Sequence, residues 1–80
     1  MDEQKIYAKL TDIFRDIFDD DALVLTPNTT AADIPDWDSA NHINITVASE
    51  SAFGIQFNSS ELEELRNVGD LVATIKRKTA

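Results

Sequence analysis

Residues 36–55 read DWDSANHINITVASESAFGI, and the fold turns on whether this stretch is a helix or a strand. Asp38 and Ser39 are both favoured N-cap residues. If they head a helix, Ala40, Ile43 and Val47 line one face at the spacings of three and four that an amphipathic helix needs. Gly54 then lies just past the last turn, where a left-handed residue commonly closes a helix. The competing pattern is local: Ile43-Asn44-Ile45-Thr46-Val47 alternates apolar and polar as a half-buried strand does. The caps at both ends and the lack of a partner strand decide for a helix over about Ser39 to Ala52.

The flanks read the same way. Ile6, Leu10, Ile13, Phe14, Ile17 and Phe18 recur every three or four residues, which predicts a first helix from about Asp2 to Phe18. Asp19-Asp20-Asp21 should end it, because carboxylates are disfavoured beside the negative end of the helix dipole. Residues 19–38 hold both prolines, Pro27 and Pro35, and read as a long loop. So long a loop needs anchors; Leu23, Val24, Leu25, Ile34 and Trp37 are the candidates, with a short helical turn near Ala31. Downstream, Ser60 and Glu63 have the separation of a capping box and predict a short helix over Ser60–Leu65. Asn67 is placed to cap a last helix with Val68, Leu71, Val72 and Ile75 buried, and Lys76, Arg77 and Lys78 suit its C-terminal end. The expected fold is an all-α four-helix bundle, three longer helices and one short, with a long first loop, forming a single domain over residues 1–80.

At 80 residues, a chain of this kind buries only about 60% of its unfolded surface. One core uses most of its apolar residues, leaving little for a catalytic cavity. The absence of cysteine removes disulfides, thiolate nucleophiles and thiolate metal sites together. Met1-Asp2-Glu3-Gln4 does not open a basic, apolar leader, and no apolar run approaches a membrane span. The expectation is a soluble cytoplasmic protein without a membrane role. Seven basic and fifteen acidic residues give a net charge of −8. No Lys or Arg falls between Arg15 and Arg66, an interval rich in Asp and Glu. That field repels phosphate backbones and attracts basic surfaces, so nucleic acid is not expected as a partner and basic protein patches are.

Ser39 sits where an acidic loop meets an amphipathic helix, so its hydroxyl should be exposed. A phosphodiester made on it would lie near the positive end of the helix dipole and the free N–H groups of the first turn. The same serine is equally suited to be an ordinary N-cap. The register of its surroundings weighs against that. Asp36-Trp37-Asp38-Ser39-Ala40-Asn41-His42-Ile43, then Phe53-Gly54-Ile55, then Val68-Gly69-Asp70-Leu71-Val72 together resemble the acyl carrier protein family, over about Phe14 to Ile75. The resemblance implies that Ser39 is the attachment site of 4'-phosphopantetheine, whose thiol holds acyl groups as thioesters. It further implies a phosphopantetheinyl transferase that brings coenzyme A and magnesium and recognises Asp38, and acyl-loading and acyl-processing enzymes with basic patches. Those partners would meet Asp36, Ala40, Glu50, Glu61, Glu63 and Glu64 on a monomer that is not itself an enzyme.

Trp37 matches an aromatic found in carriers of secondary metabolism, and serves equally as a loop anchor. Ala40 stands where the family usually has Leu. Asn44 and Ser51 replace common glutamates on the outward face of the second helix, and Ser49 falls where many relatives have an apolar residue.

Other readings are weaker. Ser39 and His42 share a helical face with Asp36 or Asp38 nearby, but no Gly-x-Ser-x-Gly elbow accompanies them, which argues against a hydrolase. Asp19-Asp20-Asp21 and Glu61, Glu63 and Glu64 lack the spacing of a calcium loop, so no metal is expected. A peptidyl or D-alanyl carrier, and a non-carrier acidic interaction domain with Ser39 only as a cap, are the remaining alternatives.

Overall fold

In the computed structural model, which describes residues 2–79, the described chain forms α1 (Glu3–Phe18), α2 (Ser39–Phe53), α3 (Ser59–Glu63) and α4 (Val68–Thr79). The described residues contain no strand. Residues 43–47 are helical, so the alternating pattern there does not express a sheet.

α1 forms as its periodicity predicts. Asp2 caps it by accepting a hydrogen bond from Lys5 N at 2.9 Å, and Ile6, Leu10 and Phe14 are fully buried. The helix ends with Asp19 in the left-handed region at φ 51°. Aspartate tolerates that conformation better than most side chains. α4 buries Val68, Leu71, Val72 and Ile75, and adds Thr74. Asn67 accepts from Asp70 N at 2.8 Å as its capping side chain. α1 packs closely against α2 and α4, while the other helix pairs approach one another only weakly or not at all.

The first loop is ordered by its own polar side chains and by α4. Thr26 and Thr29 close a turn, with the Thr29 hydroxyl accepting from Thr26 N at 3.0 Å. Asp33 takes the Thr30 N–H at 2.9 Å. Arg15 Nε reaches across from α1 to the Leu23 carbonyl at 2.8 Å. Val68 N donates to Thr29 O at 2.9 Å and Gly69 N to Pro27 O at 3.0 Å, so α4 begins by satisfying loop carbonyls. A Cβ on Gly69 would lie 2.9 Å from Pro27 O, which explains a glycine there. Leu25 and Ile34 are buried, and Leu23 and Trp37 pack partly against the core. Val24, expected as an anchor, is 70% exposed. In an extended run Val24 points opposite to Leu23 and Leu25.

α3 begins one residue and ends two residues earlier than the sequence predicts. Its cap is Asn58, and the capping box pairs Asn58 with Glu61, not Ser60 with Glu63. The cause is tertiary: Glu61 also receives Lys78 at 2.8 Å and Arg77 at 3.0 Å from α4. That grip favours the register in which Glu61 is the third residue of the helix, which ends at Glu63 with Leu65 beyond it.

Candidate functional site

Which face of α2 meets the core is the main correction to the sequence reading. Ile45, Thr46, Ser49 and Phe53 are buried, whereas Ala40 is exposed and Ile43 and Val47 are 62% and 57% exposed. Apolar residues surround this helix, so periodicity does not select a side; packing on α1 does. Ser39, Ile43 and Val47 stand four residues apart and therefore form one ridge, an outward apolar strip leading away from the serine.

At the head of the ridge, the capping role belongs to Asp38. Its Oδ1 accepts from Asn41 N at 2.9 Å, and its backbone carbonyl accepts from His42 N at 2.8 Å. Ser39 is exposed, and no hydrogen bond among the described residues engages its hydroxyl. The division of labour matters: a capping serine would have its oxygen turned back into the helix, whereas here the adjacent carboxylate does that work and the hydroxyl faces water.

The approach to Ser39 is held firmly. Asn41 Nδ2 donates to Asp36 O at 2.7 Å, tying the first turn to the loop before it. Trp37 packs edge-on against Phe14 of α1, with centroids 5.2 Å apart, and stacks on His42. Its indole N–H donates to His42 Nδ1 at 3.2 Å. The loop-anchor role of Trp37 is thus realised. His42 is a structural partner of the tryptophan, and no Ser39–His42 hydrogen bond occurs among the described residues. Asn41 and His42 are the positioning residues that the sequence reading passed over; an amide three residues after the cap was the available signal.

The acidic residues divide by availability. Asp36, Asp38, Glu63 and Glu64 are exposed. Glu50 is half-buried, and its Oε2 accepts from Phe57 N at 2.8 Å, bracing the turn after Gly54. Glu61 is the most committed: its side chain is 13% exposed. Hydrogen bonding from Lys78, then from the Asn58 backbone and from Arg77, lowers its carboxyl from 4.5 to about 2 despite partial burial pulling the other way. Among the described residues no group of three or more acidic or histidine side chains is arranged to hold a metal; Asp20, for example, caps its own turn by accepting from Ala22 N. No helix among the described residues is long and apolar enough to cross a membrane.

Comparison with known proteins agrees with this arrangement. The family model described as "Phosphopantetheine attachment site" matches residues 8–75. The chain is 33% identical over 76 residues to an acyl carrier protein of Lactobacillus acidophilus, covering 95% of each protein. It is 32% identical over 75 residues to the meromycolate extension acyl carrier protein of Mycolicibacterium aurum, covering 94% of this chain and 77% of that one. The solution NMR structure of holo acyl carrier protein from Geobacter metallireducens superposes with a TM-score of 0.86 at 46% identity, over 91% of this chain and 84% of the other. An all-helical bundle that presents an unengaged serine at the head of α2, matched along nearly its whole length by these proteins, belongs to the acyl carrier protein family.

Proposed function

We propose that this chain carries 4'-phosphopantetheine as a phosphodiester on Ser39 and shuttles acyl thioesters between the enzymes of a fatty-acid, polyketide or related biosynthesis. The observation that carries the reading is the exposed Ser39 hydroxyl, without a hydrogen bond among the described residues, beside a cap that Asp38 supplies. The residues fit the group. The Ser39 and Ala40 N–H groups at the start of α2 engage no acceptor among the described residues, and unpaired N–H groups in a first turn suit an anionic phosphodiester. The dipole of α2 favours negative charge there. The attached group supplies a terminal thiol for thioester formation; the protein supplies a fixed, exposed anchor point and a surface that partners read.

That surface combines the ridge of Ile43 and Val47, with the exposed Ala40 beside it, and the carboxylates of Asp36, Asp38, Glu63 and Glu64. An enzyme acting at Ser39 must cover the first turns of α2, so it meets the ridge whatever else it touches. Basic side chains on the partner would be steered by the acidic rim, giving fast, salt-sensitive association. Glu50 and Glu61 contribute field, while their oxygens are partly taken by Phe57 N and by Lys78 and Arg77. The second carboxylate oxygen of Asp38, which accepts no hydrogen bond among the described residues, is the atom this reading offers to the transferase.

The test is intact-protein mass after incubation with coenzyme A, magnesium and a broad-specificity phosphopantetheinyl transferase, with Ser39→Ala as the control. Gain of a single phosphopantetheine by the unaltered chain alone is the expected result. No gain with several transferases, on protein shown to be folded, would leave a non-carrier interaction domain as the reading.

A further inference from the structure

The described residues bury four polar side chains: Thr29, Thr46, Ser49 and Thr74. Three of them are satisfied. Thr29 pairs with Thr26, Thr46 donates to His42 O at 2.8 Å, and Thr74 donates to Asp70 O at 3.0 Å. Ser49 is 0% exposed, and its Oγ has no hydrogen-bond partner. The contrast is sharpest on α2 itself. Thr46 turns its hydroxyl back to the carbonyl four residues before it, a bond open to any helical serine. Ser49, on the same inward face between Ile45 and Phe53, does not make the equivalent bond to Ile45 O. A buried polar atom left in this state calls for an explanation.

Resting on the carrier reading, we propose that Ser49 is a specificity-determining residue for an acyl chain that bears an oxygen function, a hydroxyl or a keto group, along its length. An acyl chain tethered through Ser39 gains free energy by leaving water for an apolar interior, which among the described residues is the bundle core. Ser49 lies ten residues beyond Ser39, about 15 Å along the helix axis, on the side of α2 that faces inward. α2 packs closely on α1 but only weakly, if at all, on the other helices among the described residues, and helices joined by few contacts can part to admit a chain at lower cost than closely packed ones. A plain hydrocarbon entering there would leave the Ser49 hydroxyl unpaired. A chain hydroxyl or carbonyl would complete it, since a serine hydroxyl both donates and accepts.

The experiment loads Ser39 directly from acyl-coenzyme A derivatives, using hexanoyl, 3-oxohexanoyl and the 3-, 4- and 5-hydroxyhexanoyl chains. Loading is confirmed by intact mass, and thermal midpoints of the loaded proteins are compared for the unaltered chain and Ser49→Ala. At least one oxygenated chain should raise the midpoint of the unaltered protein by about 4 °C over hexanoyl, as one added buried hydrogen bond would in a domain of this size. The gap should vanish in Ser49→Ala. NMR resonances of Ser49 in the unaltered protein give a readout that needs no variant: they should shift between the hexanoyl form and the favoured oxygenated form. Equal midpoints for all chains, a gap that survives Ser49→Ala, or unmoved Ser49 resonances on confirmed loaded protein would overturn the proposal. Failure of Ser39 to accept any derivative is a different result, visible in the mass: it removes the carrier reading, and this inference with it.

Discussion

At the residue scale Asp38 has one observed job and one proposed, and substitution separates them. Its Oδ1 caps α2 through Asn41 N, and the carrier reading proposes that its charge meets the transferase. Asp38→Ala should lower stability by about 0.5–2 kcal/mol, the usual cost of a lost cap, in urea unfolding monitored by circular dichroism. Asp38→Asn keeps a good capping oxygen and should unfold within a few tenths of a kcal/mol of the unaltered chain. Its rate of phosphopantetheine transfer then reports the charge alone. A normal rate in a normally stable Asp38→Asn protein would limit Asp38 to capping. Ser39 itself was legible in the sequence as the serine before an amphipathic helix, but cap and anchor were indistinguishable there, because adjacent Asp and Ser can each accept from a first-turn N–H. Only the side-chain direction of Asp38 assigns the cap.

Among the elements, the ends of α1 and α4 are the most sensitive points. Asp19 closes α1 in the left-handed region with a carboxylate beside the helix C-terminus, an arrangement the dipole disfavours. Asp19→Asn retains the tolerance for that conformation and removes the charge, so it should stabilise the protein by about 0.3–1 kcal/mol, less at high salt. An unchanged urea midpoint at low salt would refute this. At the start of α4 the backbone of Gly69 lies against Pro27, and a methyl group would sit 2.9 Å from its carbonyl oxygen. Backbone has little freedom to yield, so Gly69→Ala should cost about 1–3 kcal/mol and loosen residues 26–30, seen as faster amide exchange at Thr29. Faster exchange confined to α4 would place the strain elsewhere. Helices α1 and α4 could be read from their patterns because their apolar residues occupy one face each. α2 could be located but not oriented, since Ala40, Ile43 and Val47 offered a stripe as regular as the one that is buried.

At the scale of the whole molecule, Glu61 joins two elements that otherwise touch little. Its carboxylate closes the α3 capping box and receives Lys78 and Arg77 from α4. Its carboxyl is held near 2, below the ordinary 4.5, so the unfolded chain takes up this proton at a higher pH than the folded one. The stability it adds is therefore present in full above about pH 4.5 and is lost as pH falls toward 2. Glu61→Gln preserves the capping box and removes the charge. Its unfolding midpoint should fall below that of the unaltered chain at pH 7, with the difference shrinking steadily between pH 4.5 and 2. A difference independent of pH would mean that packing, not the ion pairs, accounts for the loss. The net charge of −8 acts at longer range: association with a basic partner enzyme should slow markedly as salt rises from about 0.01 to 0.15 M, where the screening length falls from about 30 to 8 Å. Equal association rates in stopped-flow measurements across that range would assign recognition to the apolar ridge alone.

Local chemistry along the chain was sufficient for the number and order of the helices, the stop at Asp19, the left-handed Gly54, the cap at Asn67 and the position of Ser39. Each of these depends on residues within a few positions of one another, where spacing and conformational preference act directly. Tertiary structure decided which side of α2 is buried, which pair forms the α3 capping box, that Val24 points outward, and that Asp38 rather than Ser39 caps. It also decided that Ser49 is enclosed without a hydrogen-bond partner. The buried side of α2 and the α3 capping box depend on groups distant in sequence, α1 against α2 and Lys78 and Arg77 against Glu61. Where local preferences are nearly equal, as between two apolar faces or two capping side chains, the long-range contact determines the result.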